Sequence, residues 1–97
     1  MPTLFVLHKA PSSNHEMERA LELAKSGDGL VFLQDSVLAL RSEMGLGKIR
    51  KAQQNGVSIF ALVHDMRARG VPEMSGIRVI DYDDLIALIL QHERTFS

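Results

Sequence analysis

Leu30-Val31-Phe32-Leu33 decides the fold. This apolar run is too short for a helix, and it lacks the alternation of a strand with one wet face. With Val31 and Phe32 at its centre it reads as a strand covered by helices on both sides. Asp28-Gly29 turns into it and Gln34-Asp35 leads out. Leu4-Phe5-Val6-Leu7 has the same character, and Val57 to Val63 and Ile77-Arg78-Val79-Ile80 are further short runs rich in β-branched or aromatic residues.

The intervening stretches carry helix signals. Ser13-Asn14-His15-Glu16 has the spacing of a capping box, and Met17, Ala20, Leu21 and Ala24 follow at helical spacing, with Glu18, Glu22 and Lys25 outward and Gly27 as a left-handed stop. Ser36 to Glu43 is expected to be helical. A break at Gly45-Leu46-Gly47 and a second helix from Lys48 to Asn55 should follow, ended by Gly56. Asp65 to Gly70 forms a short helix, closed by Gly70 and Pro72. Asp81 caps the last helix, with Asp83 and Asp84 in its first turn and Leu85, Leu88 and Ile89 as its core stripe. His92 complements the dipole at its far end.

Strands alternating with helices give an α/β class: a three-layer α/β/α sandwich around a small, mainly parallel sheet of four to five strands. The fifth strand would come from the tail around Phe96. Residues 1–97 read as one domain.

Composition narrows the function. With 45% hydrophobic and 24% charged residues the chain is an ordinary globular one. A net charge of −1, from 11 Lys+Arg and 12 Asp+Glu, excludes a nucleic-acid-coating or membrane-surface module. The absence of cysteine excludes a disulfide scaffold, a zinc ribbon, an iron–sulfur cluster and a thiol nucleophile. The apolar start, Leu4 to Leu7, is far too short to span a bilayer and lacks the marks of a signal peptide, so a cytoplasmic chain with no membrane partner is expected.

In open α/β sheets, function collects at the carboxyl ends of strands. The polar residues there are His8-Lys9, Gln34-Asp35, His64-Asp65 and Asp81-Tyr82. Helix capping is the stronger reading of Asp35, Asp65 and Asp81, since each stands where a helix begins. His8 and His64 could approach one another across neighbouring strand ends, but a two-His site needs a third ligand that the sequence does not announce, so no metal site is assigned. Gly45-Leu46-Gly47-Lys48 resembles a phosphate loop but has Ser42 and Ile49 where the motif needs glycine and a hydroxyl residue. Arg41, Lys48, Arg50 and Lys51 form a basic cluster without an aromatic stacking platform, which reads as a solvated helix face. No catalytic residue and no cofactor are assigned.

Leu7-His8-Lys9-Ala10-Pro11, Leu33-Gln34-Asp35-Ser36-Val37, Phe60-Ala61-Leu62, Asp65 with Ala68-Arg69-Gly70, and Ile80-Asp81-Tyr82 follow the order and spacing of the DsrH/TusB family, over essentially the whole chain. The resemblance implies a DsrEFH-like α/β/α fold and a non-catalytic subunit of a sulfur relay acting in 2-thiolation of the tRNA wobble uridine. It also implies TusC-like and TusD-like partner subunits in a heterotrimer that dimerises to a heterohexamer. The carrier cysteine would lie on the TusD-like partner, and TusA-like and TusE-like sulfur carriers would be met indirectly, with no direct tRNA binding. His8, Gln34, Asp35, His64, Asp65, Arg69, Asp81 and Tyr82 are the candidate rim or interface residues. Two alternatives stay open: a DsrH-like subunit of a sulfur-oxidation complex, and a small-molecule-binding or hydrolytic domain using the rim of His8, Asp35 and His64.

Overall fold

In the computed structural model, which describes residues 2–11 and 15–96, the four apolar runs become β1 (Thr3–Leu7), β2 (Gly29–Phe32), β3 (Ser58–Leu62) and β4 (Arg78–Ile80). A fifth strand, β5 (Arg94–Phe96), does form. All pairs are parallel, in the order β4-β3-β2-β1-β5. Leu30, Val31 and Phe32 at the centre are each 0% exposed, as a strand covered on both faces requires.

Between the strands lie α1 (Glu16–Leu23), a 3-10 helix (Gln34–Arg41), α2 (Glu43–Gln54), α3 (Val63–Ala68) and α4 (Tyr82–Gln91). Their layers follow from handedness. The chain steps in one direction from β1 through β4, so right-handed crossovers put every connection of that series on one face of the sheet. The return from β4 past β1 to β5 runs the opposite way and puts α4 on the other face. The side chains divide accordingly. Phe5, Leu30, Phe32 and Ile59 pack with Met17, Leu40, Ile49 and Met66. Leu4, Val6, Val31, Phe60, Leu62 and Ile80 pack with Leu85 on the far side. Each large side chain so buried contributes roughly 1.5–3 kcal/mol.

Several local expectations are corrected. The capping box predicted at Ser13 lies outside the described residues; α1 begins at Glu16, with His15 at its N-cap and no side-chain cap. The helix ends at Leu23, where Ala24 turns extended, and Gly27 takes its left-handed φ of +95° in the loop beyond. The break expected at Gly45-Leu46-Gly47 falls at Ser42. The segment before it is a 3-10 helix, and α2 runs unbroken through both glycines. Ser42 caps α2 by accepting a hydrogen bond from the Gly45 amide at 3.2 Å. Gly45 itself is a packing glycine, since a Cβ there would run into the Ala39 carbonyl oxygen. On α4, Leu85 is buried and Leu88 half-buried, but Ile89 is 39% exposed and leaves the expected core stripe.

Candidate functional site

The strand ends hold the candidate residues in three groups. The first sits between β3 and β4. These neighbours send their following helices to opposite faces, α3 to one and α4 to the other, which makes the gap between their carboxyl ends a topological switch point. His64, near the start of α3, and Tyr82, the first residue of α4, meet there with rings stacked at 5.1 Å and 15°. Beside them Asp81 caps α4 in a reciprocal box: its Oδ1 accepts from the Asp84 amide at 2.8 Å, and Asp84 Oδ2 accepts from the Asp81 amide at 3.1 Å. The Asp84 amide, foremost, holds the Asp81 carboxyl below the usual carboxylate range against the opposing effect of desolvation, and the Asp84 side chain, the Asp83 amide and the His64 charge add to the lowering.

The second group joins the ends of β2 and β3. Gln34 leaves β2 with φ at +50°, the only non-glycine in the left-handed region among the described residues. Asp65 Oδ2 accepts its amide at 2.7 Å and so holds that conformation. Arg69 Nε donates to Asp35 Oδ1 at 2.9 Å, and its Nη1 lies 3.6 Å from Asp65 Oδ1. Arg41 Nη1 reaches the Arg69 carbonyl oxygen at 3.4 Å. Asp35 and Asp65 are therefore not N-caps as the sequence suggests. The N-cap positions fall on Leu33 and Leu62, and the two carboxylates share a guanidinium that ties the β2 and β3 loops together.

The third group closes the end of β1. The Glu16 carboxylate accepts from the His8 amide at 2.8 Å and from the Lys9 amide at 2.9 Å, so the first residue of α1 fixes the turn leading to it. His8 stands apart from His64, because β2 lies between their strands and the expected approach across neighbouring strand ends does not occur. Ser36 is 2% exposed, with its hydroxyl 2.8 Å from the Leu7 carbonyl and 2.6 Å from that of Leu33, one proton shared between the ends of β1 and β2.

The rim thus brings together Gln34, Asp35, Asp65 and Arg69 in one network and Asp81, Tyr82 and His64 in another. Its carboxylates are engaged by amides and by Arg69, an arrangement suited to holding loops in register. Among the described residues no three His, Asp or Glu side chains converge on a metal position, and no helix is long and apolar enough to cross a membrane. Glu16 and Ser36 escape sequence reading as rim residues because their partners are backbone groups, which leave no trace in side-chain spacing. Of the basic cluster, Lys48 pairs with Glu18 at 3.3 Å. The Glu18 carboxyl is held below its ordinary range, first by its own backbone amide and further by Lys48.

Fold and rim together define a small parallel α/β chain with a tied strand-end network. A family model described as DsrH like protein matches residues 9–95, and the chain belongs to this family. Among its relatives, Protein TusB of Pectobacterium parmentieri is 31% identical over 96 residues, covering 95% of this chain and 99% of the relative. Protein TusB of Photorhabdus laumondii is 32% identical over 79 residues, 78% of this chain and 80% of the relative. Protein TusB of Serratia proteamaculans is 30% identical over 96 residues, 97% and 98% of the two chains. The crystal structure of the ychN protein from E. coli superimposes with a TM-score of 0.79 over 99% of this chain and 97% of that one, at 15% identity, which shows a shared fold.

Proposed function

We propose that this chain is a non-catalytic subunit of a cytoplasmic sulfur-relay complex acting in 2-thiolation of the tRNA wobble uridine. The observation that carries the reading is membership of the DsrH-like family in a chain without a single cysteine. Passing sulfur as a persulfide requires a thiolate, and no Ser, His or Asp side chain replaces it as the carrier. The thiolate is then supplied by a TusD-like partner. A TusC-like subunit completes the heterotrimer, which pairs into a heterohexamer, with TusA-like and TusE-like carriers delivering and removing sulfur. This chain contributes through contact. Tyr82, Ile86, Ile89 and Leu90 lie exposed at helical spacing on α4, the kind of apolar surface that obligate assemblies cover.

Deleting the gene is expected to lower 2-thiouridine in the affected tRNAs, and re-expressing this chain to restore it, measured by nucleoside mass spectrometry. Unchanged 2-thiouridine in the deletion strain overturns the reading.

A further inference from the structure

The edge of the sheet at β5 carries an open groove of about 600 Å3 that shares only Glu16 and Leu7 with the strand-end rim. Its floor is the ring pair Phe5 and Phe96, stacked at 5.6 Å and 17°. Its wall is α1, whose Leu23 is 62% exposed, while Phe96 is 53% exposed despite its stacking partner. Two large apolar groups facing water across one concavity are a costly arrangement for a lone chain.

The groove carries one carboxylate and one guanidinium that do not pair with each other. Arg19 stands one helical turn before Leu23 and lines the same groove. Among the described residues no acid or carbonyl pairs with its guanidinium. Glu16 is the acid of the lining, and its carboxylate is already held by the His8 and Lys9 amides. An occupant therefore meets an aromatic floor, an aliphatic wall and a guanidinium that makes no ion pair among the described residues. β5 is also the outer strand of the sheet, paired on one side with β1. Its other side offers backbone groups to an extended segment lying along the groove.

We propose that this groove receives a loop of a partner subunit, which inserts a large apolar side chain against Phe96 and Leu23 and sets a carboxylate on Arg19. The proposal rests on the chain being a subunit of a complex, as argued above, and names the surface used. The apolar stripe on α4 is a weaker choice for this occupant, because the groove beside that helix is lined by Phe60, Arg78 and Leu88 and not by the stripe residues, and its Arg78 already lies over the Phe60 ring at 5.9 Å.

The test is co-purification of the full-length tagged chain from its native cells, comparing wild type with Arg19→Glu, Leu23→Asp, Arg19→Lys and, on α4, Ile86→Asp. Thermal melts of each variant establish that it folds. Wild type should retain related α/β subunits, one of them bearing a reactive cysteine. Arg19→Glu and Leu23→Asp should each reduce their yield about tenfold, and Arg19→Lys should keep most of it. Hydrogen exchange of the assembled complex should show new protection over residues 16–23 and 94–96. Retention at the wild-type level by both folded disruptive variants overturns the groove while leaving the subunit reading intact, as does protection that omits both segments. A wild-type chain that brings down no related subunit overturns both.

Discussion

Gln34 shows how much a single backbone angle depends on its neighbours. A φ of +50° is unfavourable for a side chain with a Cβ, and the Asp65 carboxylate holds it in place from 31 positions along the sequence. Gln34→Gly should raise stability by about 0.5–1 kcal/mol in urea denaturation. Asp65→Ala should lower it by roughly 1–2 kcal/mol, since it strips the Gln34 amide of its acceptor and Arg69 of a partner. Because both act on one conformation, the double variant should lose less than the sum of the parts. The two glycines of α2 make an opposite pair. Gly45→Ala drives a methyl into the Ala39 carbonyl and should destabilise by about 1–3 kcal/mol. A Cβ at Gly47 meets nothing within 4 Å, so Gly47→Ala should stabilise the helix by roughly 0.5–1 kcal/mol. Thermal or urea melts of the two variants, moving in opposite directions, check the assignment.

At the scale of elements, α4 is the helix whose start is most firmly specified. Asp81→Ala should lower stability measurably, since it strips the Asp84 amide of its acceptor. The Asp81 carboxyl is depressed in the folded state, so its contribution is present at neutral pH, persists down through the ordinary carboxylate range, and is lost as pH falls below it. Wild type and Asp81→Ala should therefore converge in stability under strong acid, which a pH series of melts would show. The cap was legible because Asp81 and Asp84 carry it within one turn. The first four strands were legible for a similar reason: a short apolar run reports its own burial. β5 is harder to read, because Arg94-Thr95-Phe96 has one large apolar residue and all three positions face solvent. The boundary between the 3-10 helix and α2 is misplaced in the sequence reading because a glycine stops a helix only when it takes a left-handed φ, which neither Gly45 nor Gly47 does, and the contact that asks for Gly45, with Ala39, is tertiary. The rim divides in the same way. Its members could be named from strand ends, but the sharing of Arg69 by Asp35 and Asp65 depends on the neighbouring of β2 and β3.

For the whole molecule, the sheet order decides where everything else goes. Four strands advancing one way and one returning leave one face to α1, α2, α3 and the 3-10 helix, and the other to α4. The same reversal sets the switch point between β3 and β4, where the His64 and Tyr82 rings stack. His64→Ala should leave the sheet intact and lower stability by about 0.5–1.5 kcal/mol, seen as a modest drop in melting temperature. On the opposite edge, the groove beside β5 owes its floor to the same topology, which carries the end of the described chain back to β1.

That return has a consequence for folding. The pairs Thr3↔Arg94, Leu4↔Thr95 and Phe5↔Phe96 close a loop of about ninety residues, the longest in the sheet, for a strand of three residues. β1 can zip onto β2, and β2 onto β3, across much shorter stretches. The outer strand therefore docks last and opens first, and its amides should exchange with solvent faster than those of β1 to β3. Each such opening uncovers the Phe5 ring, so whatever binds beside β5 also secures the final step of folding.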